Sequence, residues 1–239
     1  MPKYQHMHNL MESKLIGIEG HSFSGKTTLM EDLEASRSGD LGFIKEHDVY
    51  ANGSENFPKI PFQTQKQANS DIEYFLELES KRTQDALRMV INPSISSIFM
   101  DRTIISVLLL QLYLKEKRRD WLNSFDESVE IYSDAVRTGK VYIPERFIFL
   151  DTADDLTFLT RTERKVSLGF YKDLETRNFM NFHYLKILNR FYDESSSLVI
   201  KSKNSIDSRK DLVLKVKDFT QHSKPSVKTK NLIKEYFKK

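Results

Sequence analysis

Gly20-His21-Ser22-Phe23-Ser24-Gly25-Lys26-Thr27 is the stretch that decides the fold. It fits G-x-x-x-x-G-K-[ST] without a gap, and its surroundings are the ones that pattern needs. Before it, Ser13 to Glu19 (SKLIGIE) is a short apolar run that reads as a buried strand. After it, Lys26 to Ala35 (KTTLMEDLEA) places Leu29, Met30 and Leu33 at helical spacing. The two glycines permit backbone conformations that turn successive N–H groups inward, making a nest for phosphate oxygens. The helix that follows aims its positive end at the same point. Lys26 supplies a cation for β- and γ-phosphates, and Thr27 supplies a hydroxyl for Mg²⁺. The stretch from Gly20 to Thr28 is therefore assigned to ATP. His21, Ser22, Phe23 and Ser24 contribute backbone amides, and His21 receives no catalytic role.

Working outward, four further strands are predicted: Gly42 to Glu46, Ile95 to Met100, Phe147 to Leu150 and Leu198 to Lys201. Between them lie helical patterns at Ala68 to Ile91, Thr103 to about Lys117, Phe125 to Arg137, Asp154 to Arg164 and about Asp173 to Tyr192. A closing helix spans Ser208 to Phe219. Asn52 to Phe62, with Gly53, Pro58 and Pro61, reads as loop. Short strands alternating with helices specify an α/β, three-layer phosphate-loop NTPase fold, a five-stranded parallel sheet with helices on both faces. Right-handed crossovers gather the loops after the strands on one edge, where ligands bind.

Composition narrows the class. The chain has 239 residues, no cysteine, and 8 Gly with 6 Pro. Disulfide scaffolds, thiolate chemistry and low-complexity architectures are excluded. No apolar run is long enough to span a bilayer, and the first residues lack the apolar core of a signal peptide, so the expectation is a cytoplasmic protein without a membrane partner. The segment Lys224 to Lys239 holds six lysines against one glutamate, more than the +3 of the whole chain, so the body is slightly acidic. That tail reads as a solvated terminal helix, dispensable for activity, rather than a nucleic-acid contact. The division is a polar segment 1–13, one domain over 14–220 and a basic tail 221–239. His6 and His8, in the polar N-terminal segment, are not read as metal ligands.

The acceptor side starts from Ile98-Phe99-Met100-Asp101, an apolar strand ending in a carboxylate that can hold a water ligand of Mg²⁺. Arg102 follows at the sheet edge, near the phosphates. With the loop IGIEGHSFSGKTTL, the run DRTIISVLLLQ resembles thymidylate kinase, where Asp-Arg-Tyr is followed by a Ser and a Gln; here these are Asp101, Arg102, Ser106 and Gln111, with Thr103 replacing the Tyr. ELESKRTQD is similar to that family's helix carrying a substrate-phosphate arginine, which would be Arg82. IPERFIFLD is similar to its strand before the lid. The resemblance implies an ATP-dependent, Mg²⁺-assisted phosphoryl transfer, substrate contacts from Arg82, Arg102, Ser106 and Gln111, and a homodimer. It also implies a lid over about 161–173, in which Arg161, Arg164 or Lys165 would stabilise charge on the moving phosphoryl group.

One stretch departs from that pattern. After the second strand the family has Arg-Glu-Pro-Gly-Gly, whereas this chain has Lys45-Glu46-His47-Asp48-Val49-Tyr50. Two acceptors stay open. A nucleoside monophosphate already carries a nucleophilic oxygen and needs arginines to cancel charge. A nucleoside hydroxyl needs a carboxylate to take its proton, and Glu46 stands where deoxynucleoside kinases carry theirs; Asp101-Arg102-Thr103 also resembles their Glu-Arg-Ser. Asp101 with Gln111 favours the monophosphate. Other classes are less well served: no Asn-Lys-x-Asp stretch follows the fourth strand, as a GTP-driven switch would need. A kinase of another hydroxyl, such as a polynucleotide end or an antibiotic, and a nucleotide binder without turnover are the remaining alternatives.

Overall fold

The computed structural model describes residues 10–36, 40–58, 64–118, 124–152, 154–163, 173–202, 206–226, 229 and 231–238. Five strands, β1 (Leu15–Glu19), β2 (Leu41–Ile44), β3 (Ser97–Asp101), β4 (Arg146–Thr152) and β5 (Ser197–Ser202), form one sheet in the order β2-β3-β1-β4-β5. Every pairing is parallel. The helical elements are α1 (10–14), α2 (Lys26–Ala35), α3 (His47–Tyr50), α4 (Gln65–Val90), α5 (Ile104–Tyr113), α6 (Ser124–Arg137), α7 (Asp155–Glu163), α8 (Leu174–Phe191), α9 (Ile206–His222) and α10 (Leu232–Phe237). The predicted architecture is the observed one.

Alternation along the strands explains the layers. Ile16, Ile18, Phe99, Ile148 and Leu150 pack on one face with Leu29 and Leu33 of α2 and Val216 of α9. Their neighbours Leu15, Ile98 and Met100 face the other side with Ala86 and Val90 of α4, while Phe147 and Phe149 meet α5, α6 and α8 there. Successive residues of a strand point to opposite faces, so a sheet covered on both sides must be apolar at every position. β1 and β3 are buried throughout.

Of the boundaries that differ from the sequence reading, three are instructive. β2 ends at Ile44, because Glu46 leaves the extended ladder to become the N-cap of α3. β3 starts at Ser97, since the Ile95 and Ser96 N–H groups donate to Asn92 and Asp40 carbonyls in the preceding turn. After Tyr113 the helix widens into a π-turn, Leu114–Arg118. The larger correction concerns the basic tail. Leu232, Ile233 and Phe237 of α10 are buried in the same core as α6 and α8, so this helix is packed rather than solvated. Its lysines share the segment with apolar residues at positions i, i+1 and i+5, which form one inward face. No helix among the described residues is long and apolar enough to cross a membrane.

Candidate active site

β1 lies between β3 and β4, and its C-terminal edge is where the strand order reverses, the place at which ligands bind in open parallel sheets. The phosphate loop leaves from that point. Gly20 has φ +149 and Gly25 φ +101, and a Cβ on Gly20 would meet the Leu150 carbonyl oxygen at 2.1 Å. Phe23 also adopts a left-handed backbone, φ +70. These turns form the cradle the sequence calls for. Lys26 is buried, and its Nζ donates to the Gly20 and His21 carbonyls at 3.0 and 3.1 Å. Burial first, then the neighbouring Arg102, pulls its ammonium down to about 8. Thr27 is exposed and Thr28 half-buried on the first turn of α2.

The loop is braced from behind. Arg161 of α7 donates to the carbonyls of Phe23 and Ser24 and to Ser202 Oγ, each at 3.0 Å. It therefore touches the back of the loop, while Arg164 and Lys165 lie outside the described residues. His21 is more than backbone: its buried ring lies 3.2 Å from Asp151 of β4 and edge-on to Phe158 of α7. Burial pushes its imidazole down, opposed by Asp151. Ser22 Oγ lies 3.3 Å from Arg102 Nη2, and the buried Ser24 hydroxyl has no partner among the described residues.

Across the loop, Arg102 occupies a left-handed turn at φ +61, directly after β3. Its Nε donates to Glu46 Oε1 and its Nη1 to the Gly20 carbonyl at 3.3 Å. Burial alone would raise the Glu46 carboxyl, but Arg102, then Lys26 and His47, hold it down to about 2. Asp101 behaves oppositely. Burial pushes its carboxyl up to about 6, against the pull of Lys26 and with the help of Glu46. Its Oδ1 is buried with no hydrogen-bond partner among the described residues.

Arg82 does not stand open as a phosphate ligand. It is fully buried; Nε donates to the Lys45 carbonyl, Nη1 to Glu79 Oε1, and Nη2 to the carbonyls of Asp101 and Arg102 at 2.6 and 2.7 Å. The second Nη1 direction faces His47 Nε2 at 3.1 Å, and that ring also reaches Glu79 at 2.6 Å. Burial would raise the Glu79 carboxyl, but Arg82 and His47 together lower it. Ser106 also turns inward, to Glu19 Oε2 and Tyr184 (2.7 Å). Gln111 Nε2 donates to Asp71 Oδ2 at 3.1 Å.

The sequence reading missed Glu19. Its carboxylate, at the end of β1, accepts from Thr103 N (2.6 Å), Thr103 Oγ1 (2.7 Å), Ser106 Oγ and Tyr184 OH (2.8 Å). A lone acid closing an apolar strand is the signal it leaves, since such a charge persists in a core only when hydrogen-bonded. His47 and Asp71 were missed as well, because their partners lie 30 to 40 positions away.

The residues present fit a magnesium nucleotide. A Cβ-free cradle, the exposed Thr27 hydroxyl and the orphaned Asp101 Oδ1 are the elements such a ligand uses. Among the described residues no group of three or more His, Asp or Glu side chains is arranged to hold a metal. A cation there would share its coordination with phosphate oxygens and water, as Mg²⁺ ordinarily does.

No known family profile matches the chain, and no curated protein resembles it in sequence. Solved structures do. NadR in complex with NR is 14% identical with a TM-score of 0.58, over 90% of this chain and 54% of that one, so the chain spans about half of NadR. Thymidylate kinase from Candida albicans is 18% identical, TM-score 0.58, covering 90% of this chain and 97% of the other. Deoxyadenosine kinase from M. mycoides with bound dATP is 14% identical, TM-score 0.60, covering 86% and 99%. At these identities the likeness is one of fold, the three-layer phosphate-loop fold.

Proposed function

We propose that the chain is an ATP-dependent small-molecule kinase acting on a nucleoside or nucleoside monophosphate. The observation that carries this reading is the meeting of the glycine-hinged loop with Arg102, Glu46 and Asp101 at the switch point of the sheet. A carboxylate and an arginine side by side across the loop would serve an acceptor placed next to the nucleotide, the one to take a proton and the other to cancel charge. The thymidylate kinase and deoxyadenosine kinase neighbours support it by analogy of architecture, and their substrates are their own.

Lys26 and the loop amides would hold the β- and γ-phosphates, with Arg102 beside them. Thr27 and Asp101 would hold Mg²⁺, which when bound neutralises charge on the phosphoryl oxygens. The commitment of Arg82 to five protein atoms favours a hydroxyl acceptor over a phosphate one. A second anion needs uncommitted guanidinium donors, and Arg82 has none. For a hydroxyl, the acceptor oxygen bonds to the γ-phosphorus, the bond to the β-bridging oxygen breaks, ADP leaves, and the proton passes to Glu46. A carboxyl held near 2 is a weak base, so proton transfer would accompany late bond formation, as a loose transition state allows.

The test is ADP release from Mg·ATP against a panel of nucleosides and nucleoside monophosphates. Stimulation by a nucleoside that disappears in Glu46→Gln supports the hydroxyl reading. Stimulation by a monophosphate that survives Glu46→Gln restores the phosphate reading. Lys26→Ala should lower turnover by about a hundredfold or more, the scale of losing one preorganised charge at the reacting group; unchanged turnover would remove the loop from the chemistry.

A further inference from the structure

The chemistry assigned to Glu46 depends on a segment that cannot hold itself. α3 is a single turn, in which Val49 N and Ala51 N donate to the Glu46 and His47 carbonyls at 3.2 and 3.0 Å. One turn is too short to be stable alone. Glu46 is its N-cap residue, yet its carboxylate makes no capping bond and reaches Arg102 instead. Here, too, the chain departs from the thymidylate kinase pattern, with His47 in place of the proline. A proline at the first position of a helix sets φ in advance. A histidine leaves the turn to be fixed through its side chain.

Two bonds to one face of α4 do this. Glu79 and Arg82 are three residues apart and neighbours on that face. On the near side of Glu46, Arg82 Nε donates to the Lys45 carbonyl at 3.1 Å. On the far side, His47 is 3% exposed, and its Nε2 lies 2.6 Å from Oε1 of the fully buried Glu79. A carboxylate only accepts, so this ring nitrogen is the donor. The same ring sits edge-on to Phe75, one turn before Glu79, with centroids 5.7 Å apart. Arg82 Nη1 donates to the same Glu79 oxygen at 2.7 Å.

Glu46 therefore lies between two residues tied to a single buried ion pair. The Arg82 member of that pair also bridges the Asp101 and Arg102 carbonyls. Glu46 and its guanidinium partner are thus both located from one point on α4. Glu79 gives all of this through Oε1; its buried Oε2 has no partner among the described residues. An unbonded buried oxygen is destabilising, which a role in stability alone does not explain.

We propose that His47 and Glu79 are positioning residues for the transfer: their hydrogen bond fixes α3 so that Glu46 stays on Arg102 beside the phosphate loop, ready for the acceptor proton. This rests on the kinase reading with Glu46 as the proton acceptor. Neither residue has to touch a substrate. Their effect belongs to the reacting step, because the bonds that shape the phosphate loop lie elsewhere.

The experiment is steady-state ADP release from Mg·ATP with whichever acceptor of the nucleoside and monophosphate panel stimulates most. His47→Phe keeps a ring against Phe75 and loses the N–H, while His47→Gln offers an amide N–H at the reach of Nε2. Both are neutral, so they differ in the bond to Glu79. His47→Phe should lower kcat by about ten- to a hundredfold, the scale of misplacing a reacting group, with KM for ATP little changed. His47→Gln should recover most of that loss. Exchange of the Val49 and Ala51 amides should quicken in His47→Phe and stay slow in His47→Gln. If His47→Phe does not keep its thermal transition, His47→Asn, whose amide is too short for Glu79, must show the same loss. Wild-type kcat in His47→Phe, a KM for ATP that rises as kcat falls, or a Gln variant no better than Phe would each overturn the proposal. Turnover that His47→Phe leaves intact sinks this proposal alone. No turnover on any acceptor sinks the kinase reading, and the proposal with it.

Discussion

Arg102 holds a left-handed backbone at φ +61, which costs a bulky L residue on the order of 1–3 kcal/mol. What keeps it there is Arg82, whose Nη2 bridges the carbonyls of Asp101 and Arg102. Arg82 is thus a positioning residue that aims Arg102 at Glu46 and the loop. Arg82→Lys keeps the charge and loses the planar fork, so turnover should fall by about tenfold or more. In an Arg102→Ala background the same change should cost little further turnover. Additive losses in that double-mutant cycle would mean Arg82 acts on substrate directly. Asp71 makes a prediction of another kind. Its carboxyl rises from 3.8 unfolded to about 7 folded, so between those values the native state binds more protons than the unfolded one. Stability contributed by Asp71 is therefore largest below about 4 and falls as pH rises toward 7. Asp71→Asn should be nearly neutral at pH 4 and stabilising at pH 8, by at most about 4 kcal/mol. Parallel melting curves at the two pH values would refute a buried, cation-free Asp71.

The long helix α4 shows what an element needs to begin. Thr64 accepts from Gln67 N at 3.2 Å while Gln67 Oε1 accepts from Thr64 N at 3.2 Å, a reciprocal capping box. The turns it secures carry Asp71 and Phe75. Thr64→Ala should cost about 1 kcal/mol of stability and raise amide exchange in residues 65–71 before the rest of the helix. Uniform exchange along α4 would show that the cap is idle. Elements of this sort were legible because their causes are local. Apolar alternation, helical spacing and a gap-free loop motif lie within a dozen residues, and all five strands and the loop follow from them. The site was legible only where a motif carries it. Gly20, Gly25, Lys26, Thr27, Asp101 and Arg102 stand together at the edge, whereas the burial of Arg82 depends on carbonyls 19 to 37 positions away. His47 and Asp71 had no local signature at all, since each is defined by a partner from another element, and Glu19 left only a lone acid at the end of an apolar strand.

The molecule as a whole closes through its last helix. A charge count makes residues 224–239 a solvated basic end, yet the described residues there are tied down. Lys224 N donates to the Ser195 carbonyl, Ser226 N to the Glu145 carbonyl and Ser226 Oγ to the Phe191 carbonyl. Beyond them, Leu232, Ile233 and Phe237 complete the core formed by α6 and α8, with Phe237 edge-on to Phe125. At 1.5–3 kcal/mol for each fully buried side chain, these three contribute roughly 5–9 kcal/mol. That is comparable with the whole stability of an ordinary domain, about 5–15 kcal/mol. Lysine placement disguised this, because the charged residues occupy the outer face of the same turns. α8 is also the helix that delivers Tyr184 to Glu19, so loosening the core under α10 reaches the base of the phosphate loop. Removing residues 224–239 should therefore leave a chain that loses its cooperative thermal transition, and ATP binding with it. Phe237→Ala, at about 3–5 kcal/mol, should lower the melting temperature while preserving nucleotide affinity at temperatures where the variant is folded. A truncated chain that melts within a few degrees of the full one would return the segment to the solvent.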